Sequence, residues 1–268
     1  MSSLDSFFTA LRLPSMSEVS RALIKTFNQD NVTVADVRNI LAKDAALSAK
    51  LLRMANSAQF GLPRGVGTLD EAITMIGMSP IRALALGACL NDAFPTLPGL
   101  PRKDFWTWCM ACGGYTQWMS ARLGIDSQTA WLTGMMLRLG ELLIVQAQPS
   151  TLQVIEAKPH TPGYRWKREL SLVGFTEGQI TGELAHRWQF PMQMAQALQR
   201  ASDPLTEQAF SRLGAVLHLA ALLADTPSAT SKAVAALPQD VLNALELSRD
   251  WMAENFPASE SFMDIATA

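Results

Sequence analysis

Glu183 and His186 form the one Glu-x-x-His pair in this chain, a spacing that could serve a metal. At i, i+3 the two side chains share a helix face. Di-iron helix bundles use such pairs, but two of them together with further glutamates. With a single pair, flanked by Arg187, the reading is a polar helix face carrying a partly buried histidine. His218 lies in an apolar helical stretch and reads as a hydrogen-bonded core histidine. His160 stands in the Pro-rich turn from Pro159 to Gly163 and reads as solvated. A hydrolase that used Glu177, Glu183 and His186 as unorthodox ligands is the least favoured reading.

The thiols offer little more. Trp108-Cys109-Met110-Ala111-Cys112 echoes a redox Trp-Cys-x-x-Cys, but no strand precedes it and the surroundings are helical. Two thiols one turn apart on such a helix behave as small hydrophobes. Three cysteines, Cys89, Cys109 and Cys112, are too few for a disulfide scaffold.

The elements that must position these groups are helices. A chain of 268 residues with 49% hydrophobic and 17% charged residues can bury a large core. Leu47, Leu51 and Met54 recur at i, i+4, i+7, and Ile81, Leu84, Ala85 and Ala88 repeat the pattern. The periodicity predicts helices near 16–28, 33–42, 45–57, 69–77, 80–93, 102–123, 127–147, 150–157, 163–172, 176–188, 191–201, 205–224 and 238–254. Ser79 is read as an N-cap with Pro80 in the first turn. Thr68 with Glu71 is read as a capping box, and Asp203-Pro204 as the opening of the stretch to Leu223. The breaker cluster from Phe94 to Pro101 separates two helical lobes, and its Phe94, Leu97 and Leu100 can pack. A net charge of −2 without a long basic run argues against a nucleic-acid partner. With no bilayer-length apolar run and no basic residue in the first ten, the expectation is a cytoplasmic protein outside the membrane.

In that helical frame Asp44-Ala45-Ala46-Leu47-Ser48-Ala49-Lys50-Leu51-Leu52-Arg53-Met54-Ala55-Asn56-Ser57-Ala58 resembles the Asp-Pro-x-Leu-x-x-x-Leu-Leu-x-x-Ala-Asn-Ser-Ala of HDOD domains. Ala45 departs from the usual proline. The opening Leu13-Pro14-Ser15-Met16, then Thr68 to Ile73, Ile76-Gly77 with Arg82, Phe105-Trp106, Gly174-Phe175 and Trp188-x-x-Pro191 follow in family order. The resemblance implies an all-α fold, an HD-domain-like multi-helix bundle in two packed lobes. It assigns residues 1–12 to an N-terminal extension and 13–224 to the domain, with lobes 13–95 and 101–224. Residues 225–268 are left as a C-terminal helix and tail.

Catalytic HD relatives hold one or two metals with histidines and aspartates of the second lobe. Gly134-Met135-Met136-Leu137-Arg138-Leu139-Gly140-Glu141-Leu142 has the frame of their Gly-Leu-Leu-His-Asp-Ile-Gly-Lys-Leu. Leu137 and Arg138 stand at the His-Asp pair, Trp108 and Glu177 at two further histidine positions, and Ala201 near the last. Leucine has no lone pair to offer and guanidinium is a donor-only cation. The resemblance therefore implies a vestigial pocket at Trp108, Leu137, Arg138, Glu177 and Ala201, with no catalytic residue, metal or cofactor. Two uses of Arg138 stay open. It pairs with Glu141 or Glu177 and closes the pocket, the preferred reading, or it anchors an anion such as a nucleotide phosphate. Trp108, with Trp106 or Trp131, is a candidate to stack a base, though core packing is preferred.

The function this implies is a non-enzymatic bacterial signal-transduction module acting through protein–protein contact with unidentified signalling partners. The alternative is a nucleotide or anion sensor in the former cleft. Asn56, Ser57 and Phe60 are a candidate interaction surface, with Asn56 expected to fix the turn into Phe60-Gly61. Phe262, Met263 and Ile265 in the tail could dock on a second copy or fold back on their own chain.

Overall fold

Side-chain caps mark most helix starts. Ser17, Thr33, Asp44, Thr68, Asp126, Thr176 and Ser211 each accept a hydrogen bond from a backbone N–H of the following turn, satisfying donors with no partner inside the helix. The computed structural model describes residues 3–57, 60–94, 97–157, 161–206, 210–226, 228–257 and 262. These residues form α-helices and short 3-10 turns, with no strand among them.

The expected extension is itself a helix, α1 (Leu4–Thr9), whose Phe8 is buried. In the first lobe α2 (Glu18–Thr26), α3 (Val34–Leu41), α4 (Ala45–Ala55) and α5 (Leu69–Ile76) pack around α6 (Met78–Ala93). Gly77, at φ +102°, makes the 119° bend between α5 and α6, a backbone conformation that costs a residue with a Cβ far more than glycine. The second lobe contains α7 (Arg102–Arg122), α8 (Ser127–Met136), α9 (Leu139–Ala147), α10 (Leu152–Ile155), α11 (Tyr164–Val173), α12 (Glu177–Arg187), α13 (Met192–Arg200) and α14 (Arg212–Ala224). There α7 lies against α8 and α14, and α12 against α9 and α13. The lobes meet where α6 packs on α8, and buried apolar side chains of both form one connected core. Arg102 clamps the breaker segment by donating to the carbonyls of Phe94 at 2.9 Å and Asn91 at 2.6 Å. Phe94 is buried, as expected; Pro95 and Thr96 lie outside the described residues.

After α14 come a 3-10 turn (Ser231–Ala236), α15 (Gln239–Leu245) and α16 (Arg249–Glu254). Trp251 stacks on Trp118 at 5.4 Å, while Phe256 and Phe262 meet Tyr115 at 5.6 and 4.7 Å. Of the two readings of the tail, Phe262 takes the second and folds back on its own α7. Met263 and Ile265 lie outside the described residues.

Several boundaries differ from the periodicity. The helix expected over 238–254 is broken at Glu246, in the left-handed region at φ +54°. The stretch expected from 205 begins at Arg212 under the Ser211 cap, and Asp203-Pro204 lies in a turn. α6 starts at Met78 after Gly77, so Ser79 is not its cap and Pro80 sits inside the first turn. Thr68 does cap α5, but the Glu71 carboxylate accepts from Gly67 N–H at 2.8 Å instead of closing a box.

The break with consequences for the site is the one inside 127–147. The Thr181 hydroxyl of α12 donates to the Leu137 carbonyl at 2.9 Å and accepts from Gly140 N–H at 2.7 Å. A side chain inserted into the helical ladder in this way ends α8 and restarts the chain as α9. The insertion needs close approach: a Cβ on Gly140 would lie 2.1 Å from the Glu177 carbonyl oxygen. Gly140→Ala is therefore expected to destabilise the fold by about 3 kcal/mol or more, read from denaturant midpoints. Gly67→Ala, whose Cβ finds nothing nearer than 3.8 Å, is the control and stays near wild type. Equal midpoints would refute the tight α9–α12 contact.

Candidate functional site

The α8–α9 break turns Arg138 inward, and the elements around it supply carboxyls. Glu141 comes from the first turn of α9, Glu177 from the first turn of α12, and Asp225 from the C-terminal end of α14. Arg138 Nη2 donates to Asp225 Oδ1 at 2.7 Å, and Nε lies 3.5 Å from Glu177 Oε2 and 3.9 Å from Glu141 Oε2. The guanidinium stacks on the Trp108 indole with Cζ 3.3 Å from the ring centroid. Trp108 Nε1 donates to the same Asp225 oxygen at 2.9 Å, and Asp225 Oδ2 accepts from Gly163 N–H at 3.1 Å. Leu137, fully buried, points its side chain at Gly178 of α12.

Beside this group sits a second one from α11. Arg165 donates to Glu141 Oε1 at 2.7 Å and to Glu156. Trp166 Nε1 donates to Glu177 Oε1 at 3.2 Å, and Glu169 Oε2 accepts from Glu177 N–H at 2.7 Å. Arg138, Glu141, Arg165, Glu169 and Glu177 are all buried.

Five carboxyls thus face two guanidiniums, and burial raises the pKa of three of them, Glu141, Glu169 and Glu177. Desolvation raises Glu141 to about 7 against the opposing pull of Arg165 and Arg138. Desolvation also raises Glu177, opposed by Arg138, and raises Glu169 well above the usual carboxylate range, helped by Glu177. Glu156 is the exception. Its partial burial pushes upward, but Arg165 outweighs this and holds it at about 2.

This donor set does not fit the metal that catalytic HD relatives carry. Leu137 and Trp108 offer no ligand, and the nearest carboxyls surround a resident cation that would repel a second one. Among the described residues no group of three or more His, Cys, Asp or Glu side chains is arranged to hold a metal ion. Arg138 is already engaged by Asp225, Glu177 and the Trp108 face. Trp108 stacks on Arg138, not on Trp106 or Trp131.

The other candidates fall elsewhere. Ala201 is a layer away, its carbonyl 2.8 Å from His218 Nδ1, whose ring lies 5.1 Å from that of Trp166. Burial lowers the His218 pKa, as suits a neutral, hydrogen-bonded histidine. Glu183 bonds Arg187 at 2.7 Å and His186 is exposed; His160 lies outside the described residues. Cys109 and Cys112 are buried, and desolvation raises both thiols, so neither is a nucleophile. Asn56 does staple a loop, but to Val66 instead of Phe60-Gly61. Its Nδ2 donates to the Val66 carbonyl at 2.8 Å and its Oδ1 accepts from Val66 N–H at 2.7 Å. Ser57 is exposed there and Phe60 half-buried.

Asp225, Arg165, Glu169 and Glu156 were not anticipated. The only trace of them is the i, i+4 spacing of Arg165 and Glu169 around Trp166, which marks one helix face without saying that the face turns inward.

Residues 13–204 match the description of the HDOD domain. The chain belongs to the HDOD domain family. This HDOD chain is 27% identical to a "Putative phosphohydrolase" from Shewanella amazonensis SB2B, with a TM-score of 0.77 over 94% of this chain and 91% of that one. It shares its fold with a "Putative signal transduction protein" from Marinobacter aquaeolei VT8, at 20% identity and a TM-score of 0.76 over 94% of this chain and 57% of that one. An HDOD domain protein of Geobacter sulfurreducens is similar at 17% identity and a TM-score of 0.69, covering 96% and 85%. A curated Treponema pallidum (strain Nichols) protein, described as uncharacterized, is 26% identical over 186 residues. The match takes in 67% of this HDOD chain but only 35% of that relative. Among the described residues no single helix is long and apolar enough to cross a membrane.

Two outcomes are expected of the buried cluster. Arg138→Ala takes the guanidinium from Asp225 and Glu177, while Glu141 keeps Arg165, and should cost about 3–5 kcal/mol in denaturant unfolding. A loss below about 1 kcal/mol would contradict the pairing. The second outcome concerns pH. Glu141 titrates near 7 when folded against 4.5 as its ordinary value, so the folded state binds the proton more tightly. Its contribution is complete below about pH 4.5 and is lost as pH rises through about 7, a change on the order of a few kcal/mol. Unfolding free energy should therefore fall between pH 5 and pH 8, and Glu141→Gln should flatten that slope. An unchanged slope in the variant would assign the titration elsewhere.

Proposed function

We propose that this chain is a non-enzymatic regulatory module of bacterial signal transduction, working in the cytoplasm through contact with other signalling proteins. The observation that carries the reading is the position of the Arg138 guanidinium, seated among Glu141, Glu177 and Asp225 beneath Trp108. It supplies a permanent positive charge where a hydrolytic HD site needs an exchangeable metal with an open coordination position. A buried, paired arginine cannot activate water or polarise a phosphoryl oxygen at an open site. What is left is a rigid scaffold, and membership of the HDOD family supports a signalling use of it.

Protein purified without chelator and analysed by plasma mass spectrometry is expected to carry no stoichiometric transition metal. Phosphodiester hydrolysis should stay at background with added manganese, iron or magnesium. One metal per chain, or hydrolysis abolished by Glu177→Gln, would overturn the reading.

A further inference from the structure

A second cleft lies away from the Arg138 cluster, on the seam between the lobes. Its volume is about 350 Å³ and its lining includes Arg21, Lys25, Ile24, Arg187, Trp188 and Gln189. That is the size of a small-molecule site. α2 places Arg21 and Lys25 at i, i+4, and the end of α12 places Arg187 opposite them. Among the described residues no carboxylate lines the cleft. Arg187 is occupied by Glu183 and Asp5, both at 2.7 Å. Arg21 and Lys25 have no ion-pair partner among the described residues. Like charges one helical turn apart repel, and an anion between them removes that cost.

The aromatic side is also built. Trp188 is half-buried and steadied by the Phe94 ring at 6.1 Å. Gln189 follows it at φ +63°, closing α12 where glycine would be least strained. Its carbonyl accepts from Asn28 Nδ2 of the first lobe at 2.9 Å, and Gln189 lines the cleft. A larger cleft of about 390 Å³ elsewhere in the first lobe sets Asp44 and Asp92 against Lys50 and Arg53, so it has no such bias toward an anion.

We propose that the interlobe cleft binds a mononucleotide, with its phosphate between Arg21 and Lys25 and its base against Trp188 and Gln189. The ligand would touch α2 of one lobe and the end of α12 of the other, and so join them. This does not rest on the non-catalytic reading, because neither Arg138 nor any carboxyl of its cluster takes part.

The test is calorimetric titration of the full chain with AMP, and separately with inorganic pyrophosphate. Saturable AMP binding with Kd below about 1 mM is expected, and it should weaken as salt rises. Arg21→Glu/Lys25→Glu should weaken it about tenfold or more at an unchanged melting temperature, both residues being exposed. Gln189→Gly should melt no lower than wild type yet bind AMP less tightly. No saturable binding by the wild type, or equal binding by the double variant, would overturn the site. Pyrophosphate binding as tightly as AMP would overturn the nucleotide assignment.

Discussion

The buried guanidinium of Arg138 is the constraint around which the second lobe is arranged. A charge taken out of water is tolerated only when opposite charge and hydrogen-bond acceptors surround it. Here Asp225 at the end of α14 accepts a hydrogen bond from the guanidinium, and Glu141 of α9 and Glu177 of α12 add ion-pair contacts from helices far apart in sequence. Trp108 of α7 covers the cation and ties itself to the same aspartate. Each of these helices is therefore held in register by a polar contact as well as by apolar packing. Arg165 extends the arrangement to α11 and to Glu156 beyond α10.

The excess of carboxyls over guanidiniums gives the cluster its character. Desolvation outweighs the arginines at Glu141, Glu169 and Glu177 and raises the pKa of each. Its low-dielectric setting strengthens the remaining ion pairs and raises the cost of leaving any member alone.

Backbone approach makes the cluster possible. The Thr181 hydroxyl occupies the helical ladder at Leu137 and Gly140, and the missing side chain at Gly140 lets α12 press against α9. The resulting break lies at the Leu137-Arg138 step. It turns Arg138 toward the carboxyls, while the neighbouring Leu137 joins the core. The seam between the lobes is different in kind: α6 packs on α8, and a cleft lies between α2 and the end of α12, where Arg21 and Lys25 have no ion-pair partner among the described residues.

Much of the fold was legible from residue order alone. Helical periodicity, the cap at Thr68 and the breakers after Phe94 are local signals, set by interactions within a few residues. The run from Asp44 to Ala58, with the Leu137-Arg138 pair, pointed to the family and to an altered metal position. Local pattern also named Glu141 and Glu177 as partners for Arg138, because one lies a turn away and the other sits in a matched motif. It could not supply Asp225, Arg165 or Glu169. A charged residue on a helix face looks solvated until tertiary packing turns that face inward, and no spacing rule encodes the turn. The helix break at Leu137 has the same origin, since the hydroxyl that causes it belongs to Thr181, 44 residues on. Sequence by itself determined most of the helical segments and placed Leu137 and Arg138 where the resemblance has a His-Asp pair. Only the tertiary structure decided which buried charges meet there, because burial and countercharge are properties of the assembled helices.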